Sequence, residues 1–169
     1  MEKFTMRDFV RVALVAALYV VLTITPPLNA ISYGAYQFRV SEMLVFLAFY
    51  NRKYIIGLTA GCMIANLYSF GLIDVFVGGS QTFVFLTLGV MLFDRYKDQY
   101  LFNGLFNKAF FYFSLLFAAS MFTIATELHI VANAPFLMTW FTSAFGELAS
   151  LLIGSLVMDK LASRIKLTP

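Results

Sequence analysis

Charge is scarce in this sequence. Only 12% of its 169 residues are Asp, Glu, Lys or Arg, against 61% hydrophobic and 18% aromatic, whereas soluble domains carry about 25% charged residues. No apolar stretch is balanced by a charged face, which excludes a soluble core. A single cysteine, Cys62, excludes an internal disulfide. With one histidine, His129, and no H-E-x-x-H or serine–histidine pair, little supports metal or nucleophilic chemistry. No G-x-x-x-x-G-K phosphate loop, internal repeat, linker or low-complexity tract is present. The first apolar stretch has no A-x-A cleavage site after it, so it reads as a membrane helix rather than a removed signal peptide.

What is present is a series of apolar segments, drawn at about 8–25, 36–50, 54–71, 74–93, 107–127 and 136–158. Pro26-Pro27 ends the first, Asn51-Arg52-Lys53 separates the second and third, and the turn through Phe70 and Gly71 divides the third and fourth. Residues 94–103 form a polar loop, and Asn133-Ala134-Pro135 precedes the last segment. With the amino terminus inside, one side collects Lys3, Arg7, Arg11, Arg52, Lys53, Arg95, Lys97, Lys108, Lys160, Arg164 and Lys166. The remaining basic residue, Arg39, falls outside, a strong positive-inside bias. Glu2, Asp8, Asp94, Asp98 and Asp159 lie among the inner basic residues. The expectation is an all-α integral membrane protein forming a single domain over 1–169, with six transmembrane helices and both termini cytoplasmic.

Residues 33–42, Tyr33-Gly34-Ala35-Tyr36-Gln37-Phe38-Arg39-Val40-Ser41-Glu42, are a polar, aromatic island in this apolar chain. The eight apolar residues that follow would cover only about 12 Å as an α-helix. A span needs about 20 residues, so the island is expected to be drawn into the membrane, with Arg39 and Glu42 at depth. Helix rise places Glu42 about 15 Å in from Arg52, Glu147 about 18 Å from Asp159, Asn66 about 20 Å from Lys53 and Glu127 about 28 Å from Lys108. Polar groups at that depth must turn away from lipid, which implies a polar cavity open to the outside.

Trp140, Ser143 and Glu147 share one helical stripe, as do Thr123 and Glu127, and Cys62 and Asn66. Such groups suit a flat heteroaromatic solute: an aromatic face for stacking, amide and carboxylate groups for the ring edge. A carboxylate accepts two hydrogen bonds side by side and so matches a guanine-like edge, while a second would suit an ammonium. Structural readings stand beside these. Trp140 serves equally as an interface anchor, Arg39 and Glu42 as an i,i+3 pair, Asp74 as a helix cap, and His129 as a surface residue. The Phe-rich run over residues 106–122 reads as lipid-facing bulk. Ala13, Ala16 and Ala17 form a small-residue stripe that admits another helix.

The chain resembles the substrate-binding subunits (S components) of energy-coupling factor (ECF) transporters, and most closely the QueT family. The residues carrying this are Ala13-x-x-x-Ala17, Ile31-Ser32-Tyr33-Gly34, Gln37-Phe38-Arg39-Val40-Ser41-Glu42, Ile64-Ala65-Asn66-Leu67 and Gly71-Leu72-Ile73-Asp74-Val75. The resemblance implies a substrate-capture subunit for a queuosine precursor, a 7-deazaguanine such as the 7-aminomethyl form, or queuine. It implies an outward-facing site capped by the loop after the first helix, for which Tyr33, Gln37, Arg39, Glu42, Asn66, Glu127, Trp140 and Glu147 are the candidates. It also implies docking of the alanine stripe on a transmembrane coupling subunit driven by two ATPase subunits, which would handle ATP. The protein itself would be no enzyme, hold no cofactor or metal, bind no nucleic acid, and sit in the cell membrane. The alternatives are a subunit for another vitamin-like solute, and an intramembrane metal enzyme using Glu127, His129 and Glu147.

Overall fold

The computed structural model describes residues 4–34, 36–68 and 71–164. Glu2, Lys3, Ala35, Phe70 and Lys166, used in the sequence reading, lie outside the described residues. The fold is almost wholly helical. Helix α1 (Met6–Ile24) opens with a reciprocal cap: the Asp8 amide donates to Thr5 Oγ1 (3.3 Å) and the Thr5 amide to Asp8 Oδ2 (2.9 Å). It stops where Pro26 and Pro27 cannot continue it. The same prolines, free to occupy a first turn, start α2 (Pro26–Ser32), turned by 81° from α1.

The second apolar segment is not an α-helix. Residues 37–39 run without regular structure, and Val40–Phe49 form a 3-10 helix. At about 2.0 Å per residue, its ten residues cover about 20 Å, where an α-helix would cover about 15 Å. Stretching the short apolar run in this way carries the polar residues before it into the body of the bundle. Helix α3 (Tyr54–Asn66) is shorter than expected and α4 (Leu72–Phe93) starts two residues early. The loop read only as polar contains a hairpin, β1 (Tyr100–Leu101) with β2 (Phe106–Asn107). Helices α5 (Lys108–Ala119) and α6 (Phe122–Ala132) divide the fifth segment at Ser120–Met121, and α7 (Phe136–Arg164) closes the fold.

Among the described residues, three stretches are long and apolar enough to cross a membrane by themselves: Leu72–Tyr96, Lys108–Ala132 and Phe136–Arg164. The bent α1–α2 pair makes a fourth if it is one span. The 3-10 helix and α3 are apolar but shorter.

The chain shuttles between two ends. At one, Lys53 Nζ reaches Asp8 (2.8 Å), Arg52 reaches Asp94 (3.8 Å), and the Tyr100 hydroxyl donates to Asp159 (3.3 Å). At the other, the Tyr33 hydroxyl donates to the Ala65 carbonyl (2.7 Å) and the Trp140 indole to the Ala119 carbonyl (3.1 Å). Between them, Phe110, Phe113 and Phe117 project from α5 at i, i+3 and i+7 and are buried. Phe46 and Phe49 of the 3-10 helix meet Phe110 and Phe113 at ring-centroid distances of 4.5–5.7 Å. The Phe-rich run is therefore not simply lipid-facing. One stripe fills the core, while Leu115 and Phe122 face outward.

Candidate functional site

The site is built on a track of small residues along α7. A Cβ at Gly146 would collide with the Tyr36 carbonyl oxygen, and one at Gly154 would lie 2.6 Å from Met43 Cβ. Between them the Ser150 hydroxyl donates to the Arg39 carbonyl. Gly146-x-x-x-Ser150-x-x-x-Gly154 thus forms a groove in which residues 36–43 are seated. Gln37 adopts φ +46° there, an uncommon conformation for a residue with a side chain, of the kind found where surrounding structure enforces it.

That seating fixes Arg39 at the centre. The residue is 8% exposed, and its guanidinium lies 5.1 Å from the centroid of the Tyr33 ring. It makes no ion pair within 4.0 Å and no hydrogen bond through its side chain among the described residues, and its Nε is buried without a partner. The expected Arg39–Glu42 contact pair does not form. Glu42 instead accepts from the Tyr19 hydroxyl through Oε1, while its Oε2 is buried and unpartnered. Tyr19 is fully buried, and nothing in the charge or spacing pattern singled it out. A tyrosine four residues before Thr23, itself bonded to Ser41 Oγ (2.7 Å), was the available signal.

The remaining candidates surround this centre. Glu147 is 2% exposed with Oε1 unpartnered, and Glu42 and Arg39 are its charged neighbours within electrostatic range. The two carboxylates expected to share one hollow are within electrostatic range of each other. Glu127 is 5% exposed with both carboxylate oxygens unpartnered, and its charged neighbours are Asp74 and Arg39. Asn66 donates through Nδ2 to Cys62 Sγ (3.5 Å) and to the Asp74 carbonyl (3.3 Å), leaving Oδ1 unpartnered. Asp74 lies buried in the first turn of α4, whose cap is Gly71.

A cavity of about 400 Å³ opens at the Tyr33 end, lined by Tyr33, Gly34 and Gln37 with Leu128 and Ala132 of α6 and Thr139 and Ser143 of α7. Ser143 stands one helical turn from Glu147 on the same stripe, so this wall leads down to the carboxylate. Trp140 does not line the cavity. Its indole N–H is taken by the Ala119 carbonyl, so it ties α7 to the break between α5 and α6. His129 is exposed and its Nδ1 lies 2.7 Å from the Ala134 carbonyl. A larger hollow, about 590 Å³, lies at the other end around Thr5, Arg7, Asp8, Arg11 and Lys53, where Asp8 and Lys53 are paired with each other. Among the described residues, no three His, Cys, Asp or Glu side chains are grouped to hold a metal. Of the alanine stripe, Ala13 and Ala17 are exposed on α1, but Ala16 faces inward, where a Cβ at Gly61 would lie 3.0 Å from its carbonyl oxygen.

A cavity at one end of an apolar helical bundle, with buried polar atoms unpartnered among the described residues behind it, is the build of a membrane-embedded solute carrier. Residues 9–163 match the family model described as QueT transporter, and the chain belongs to that family. It is a transporter, not an enzyme. It is 61% identical over 168 residues, 99% of either chain, to the queuosine precursor transporter QueT of Lactococcus lactis subsp. cremoris (strain MG1363). No solved structure matches it.

Proposed function

We propose that this chain is the substrate-capture subunit of an ECF-type importer in the cell membrane, taking up a queuosine precursor of the 7-deazaguanine class. The carrying observation is that Gln37, Arg39, Glu42, Asn66, Glu127 and Glu147 each hold a buried polar atom without a partner. Each such atom costs about 1–3 kcal/mol, more when charged. A ligand edge rich in donors relieves that cost at the five acceptor residues, and a deazaguanine ring supplies a ring N–H beside an amino group, while a ring acceptor would meet the Arg39 N–H. In this reading Glu42 and Glu147 take the ring edge, Gln37 and Asn66 orient it, and Tyr33, held by Arg39, gives the stacking face. Trp140 supports the wall from outside.

The same reading has six crossings with both termini cytoplasmic. It is supported by the shuttling of the chain between a basic end and an end with Tyr33 and Trp140, and by the extra reach of the 3-10 helix. Exposed Ala13 and Ala17 suit a transmembrane coupling subunit, and two ATPase subunits would supply the energy, with no cofactor held by this chain. Direct binding tests the function. Purified protein binds a 7-deazaguanine, and Glu147→Gln weakens this by roughly 10- to 100-fold, as loss of a charge-assisted hydrogen bond does. Undiminished affinity in that variant removes the site assignment, and absence of binding to the unsubstituted protein removes the substrate class.

A further inference from the structure

The basic end of the bundle carries positive charge that the fold leaves uncompensated. Three cations and one carboxylate line the hollow of about 590 Å³ there: Arg7, Arg11 and Lys53 with Asp8. Asp8 is already engaged. Its Oδ2 accepts from the Thr5 amide (2.9 Å), the Thr5 hydroxyl (2.8 Å) and Lys53 Nζ (2.8 Å). Lys53 is held by that carboxylate, and its ammonium lies 5.4 Å from the centroid of the Phe4 ring. Arg7 and Arg11 have no such partner. Both are exposed, and neither makes an ion pair or a side-chain hydrogen bond among the described residues. They stand at i and i+4 on α1, so two like charges share one face of the helix, an arrangement that is unfavourable until an anion meets it.

A second hollow, of about 340 Å³, shares Met6, Arg7 and Arg11 with the first and adds Val10. Its walls are therefore apolar side chains and the methylene stems of two arginines whose charged heads face the first hollow's side of the surface. Exposed apolar surface continues from it along α1. Arg7, Arg11, Leu14 and Leu18 fall at i, i+4, i+7 and i+11, one stripe, and Val10, Leu14 and Leu18 are each more than half exposed.

We propose that the two hollows together hold one anionic phospholipid, with its phosphodiester between Arg7 and Arg11 and the start of an acyl chain in the apolar hollow, running on over Leu14 and Leu18. The joining of two chemistries selects this occupant. A free phosphate would meet the arginines and leave the apolar hollow unfilled. A zwitterionic lipid would bring a quaternary ammonium to surroundings that already hold surplus positive charge. A phosphatidylglycerol-type lipid brings one negative charge, no cation and two chains. Guanidinium forks match its phosphate oxygens in a way that an ammonium does not. The proposal requires only that the basic end of the bundle lies at a bilayer surface, and it holds whichever solute the carrier takes. The site is also distinct from the outward alanines: Ala13 and Ala17 follow Arg7 and Arg11 by six residues, about 120° round the helix.

Native mass spectrometry of the full-length protein tests this, with dioleoylphosphatidylglycerol, dioleoylphosphatidylcholine or inorganic phosphate added to the detergent solution. One phosphatidylglycerol stays bound, at least about 10-fold more tightly than phosphatidylcholine, and inorganic phosphate does not displace it. Arg7→Gln combined with Arg11→Gln weakens phosphatidylglycerol by roughly 10- to 30-fold. That double variant melts at the original temperature in lipid-free detergent, because neither guanidinium has a partner in the fold. Arg95→Gln removes an exposed cation at the same end but outside both hollows, and leaves the affinity within about twofold. Equal retention of the two lipids by the unsubstituted protein overturns the proposal without recourse to any variant. Displacement by inorganic phosphate overturns it too, and marks a simple anion site. An equal loss in Arg95→Gln, or undiminished affinity in the double variant, replaces the site with diffuse attraction of the whole basic end. Each of these results leaves the capture function untouched.

Discussion

The Tyr19 hydroxyl donates to Glu42 Oε1 across the interface between α1 and the 3-10 helix, and so leaves only Oε2 of that carboxylate unengaged. A free carboxylate rotates between equivalent oxygens; this one is held through one of them. Tyr19→Phe keeps the ring that fills the core and removes only the hydroxyl. It leaves Glu42 Oε1 buried without a donor, which costs about 1–3 kcal/mol of stability. Binding of a 7-deazaguanine weakens several-fold, and the ligand-free protein melts at a lower temperature. If the melting temperature falls with ligand affinity unchanged, Tyr19 supports the fold and does not position Glu42 for the ligand.

The groove on α7 makes a sharper steric demand. Any side chain at residue 146 meets the Tyr36 carbonyl, which is backbone and has no rotamer to yield. Gly146→Ala must therefore displace residues 36–39, and Arg39 and Gln37 with them. Overpacking of this kind costs about 1–3 kcal/mol, and the variant loses ligand binding even where it still folds. Ser150→Ala removes the hydrogen bond to the Arg39 carbonyl without adding atoms, so it is the milder change. Calorimetric binding and thermal melts on both variants check the order. Normal affinity in Gly146→Ala would contradict the seating described here.

Much of this arrangement was legible in the sequence, and the gaps have physical causes. Depth counting along helices found Glu42, Asn66, Glu127 and Glu147 because a buried carboxylate or amide is conspicuous against an apolar background. It did not find Tyr19, whose apolar ring lets it pass for ordinary membrane-helix bulk. The 3-10 form of residues 40–49 was hidden because local sequence does not separate it from an α-helix; the close approach to Gly154 belongs to tertiary packing. Gly146, Ser150 and Gly154 at spacings of four gave a stronger packing signal than the alanines of α1, yet it went unread beside Glu147. Trp140 shows another limit: its N–H has a backbone partner, the Ala119 carbonyl, that its position in the sequence does not announce.

The divided Phe-rich run gives a test of the core. Phe113 is fully buried between Phe46, Phe49 and Phe117 and fills the space beside Gly89, whereas Leu115, two residues on, is 45% exposed. Phe113→Ala opens a cavity that neighbouring rings cannot close and costs roughly 3 kcal/mol. Leu115→Ala exchanges one lipid-facing aliphatic for a smaller one and leaves the melting temperature nearly unchanged. Thermal unfolding followed by intrinsic fluorescence in a mild detergent compares the two. Equal effects would mean that both positions face lipid.

Within α1, the three small residues serve different purposes. Ala16 lies against Gly61 and Tyr19, in a crossing so close that a Cβ at Gly61 would stand 2.8 Å from Tyr19 Cβ. Enlarging it forces α1 and α3 apart, so Ala16→Leu destabilises the isolated subunit and disturbs Glu42 through Tyr19. Ala13 and Ala17 are four residues apart on the outward face, between Val10, Leu14 and Val21, where a larger side chain meets no atom of this chain's core. Ala13→Trp and Ala17→Trp therefore leave ligand affinity and melting temperature close to their original values. If that face docks on a coupling subunit, the same variants abolish uptake in cells that also make the coupling and ATPase subunits, because small residues let two helices approach at backbone distance and an indole does not. Uptake of labelled precursor and co-purification of the coupling subunit read this directly. Unimpaired uptake with both tryptophans in place would move the coupling surface away from α1.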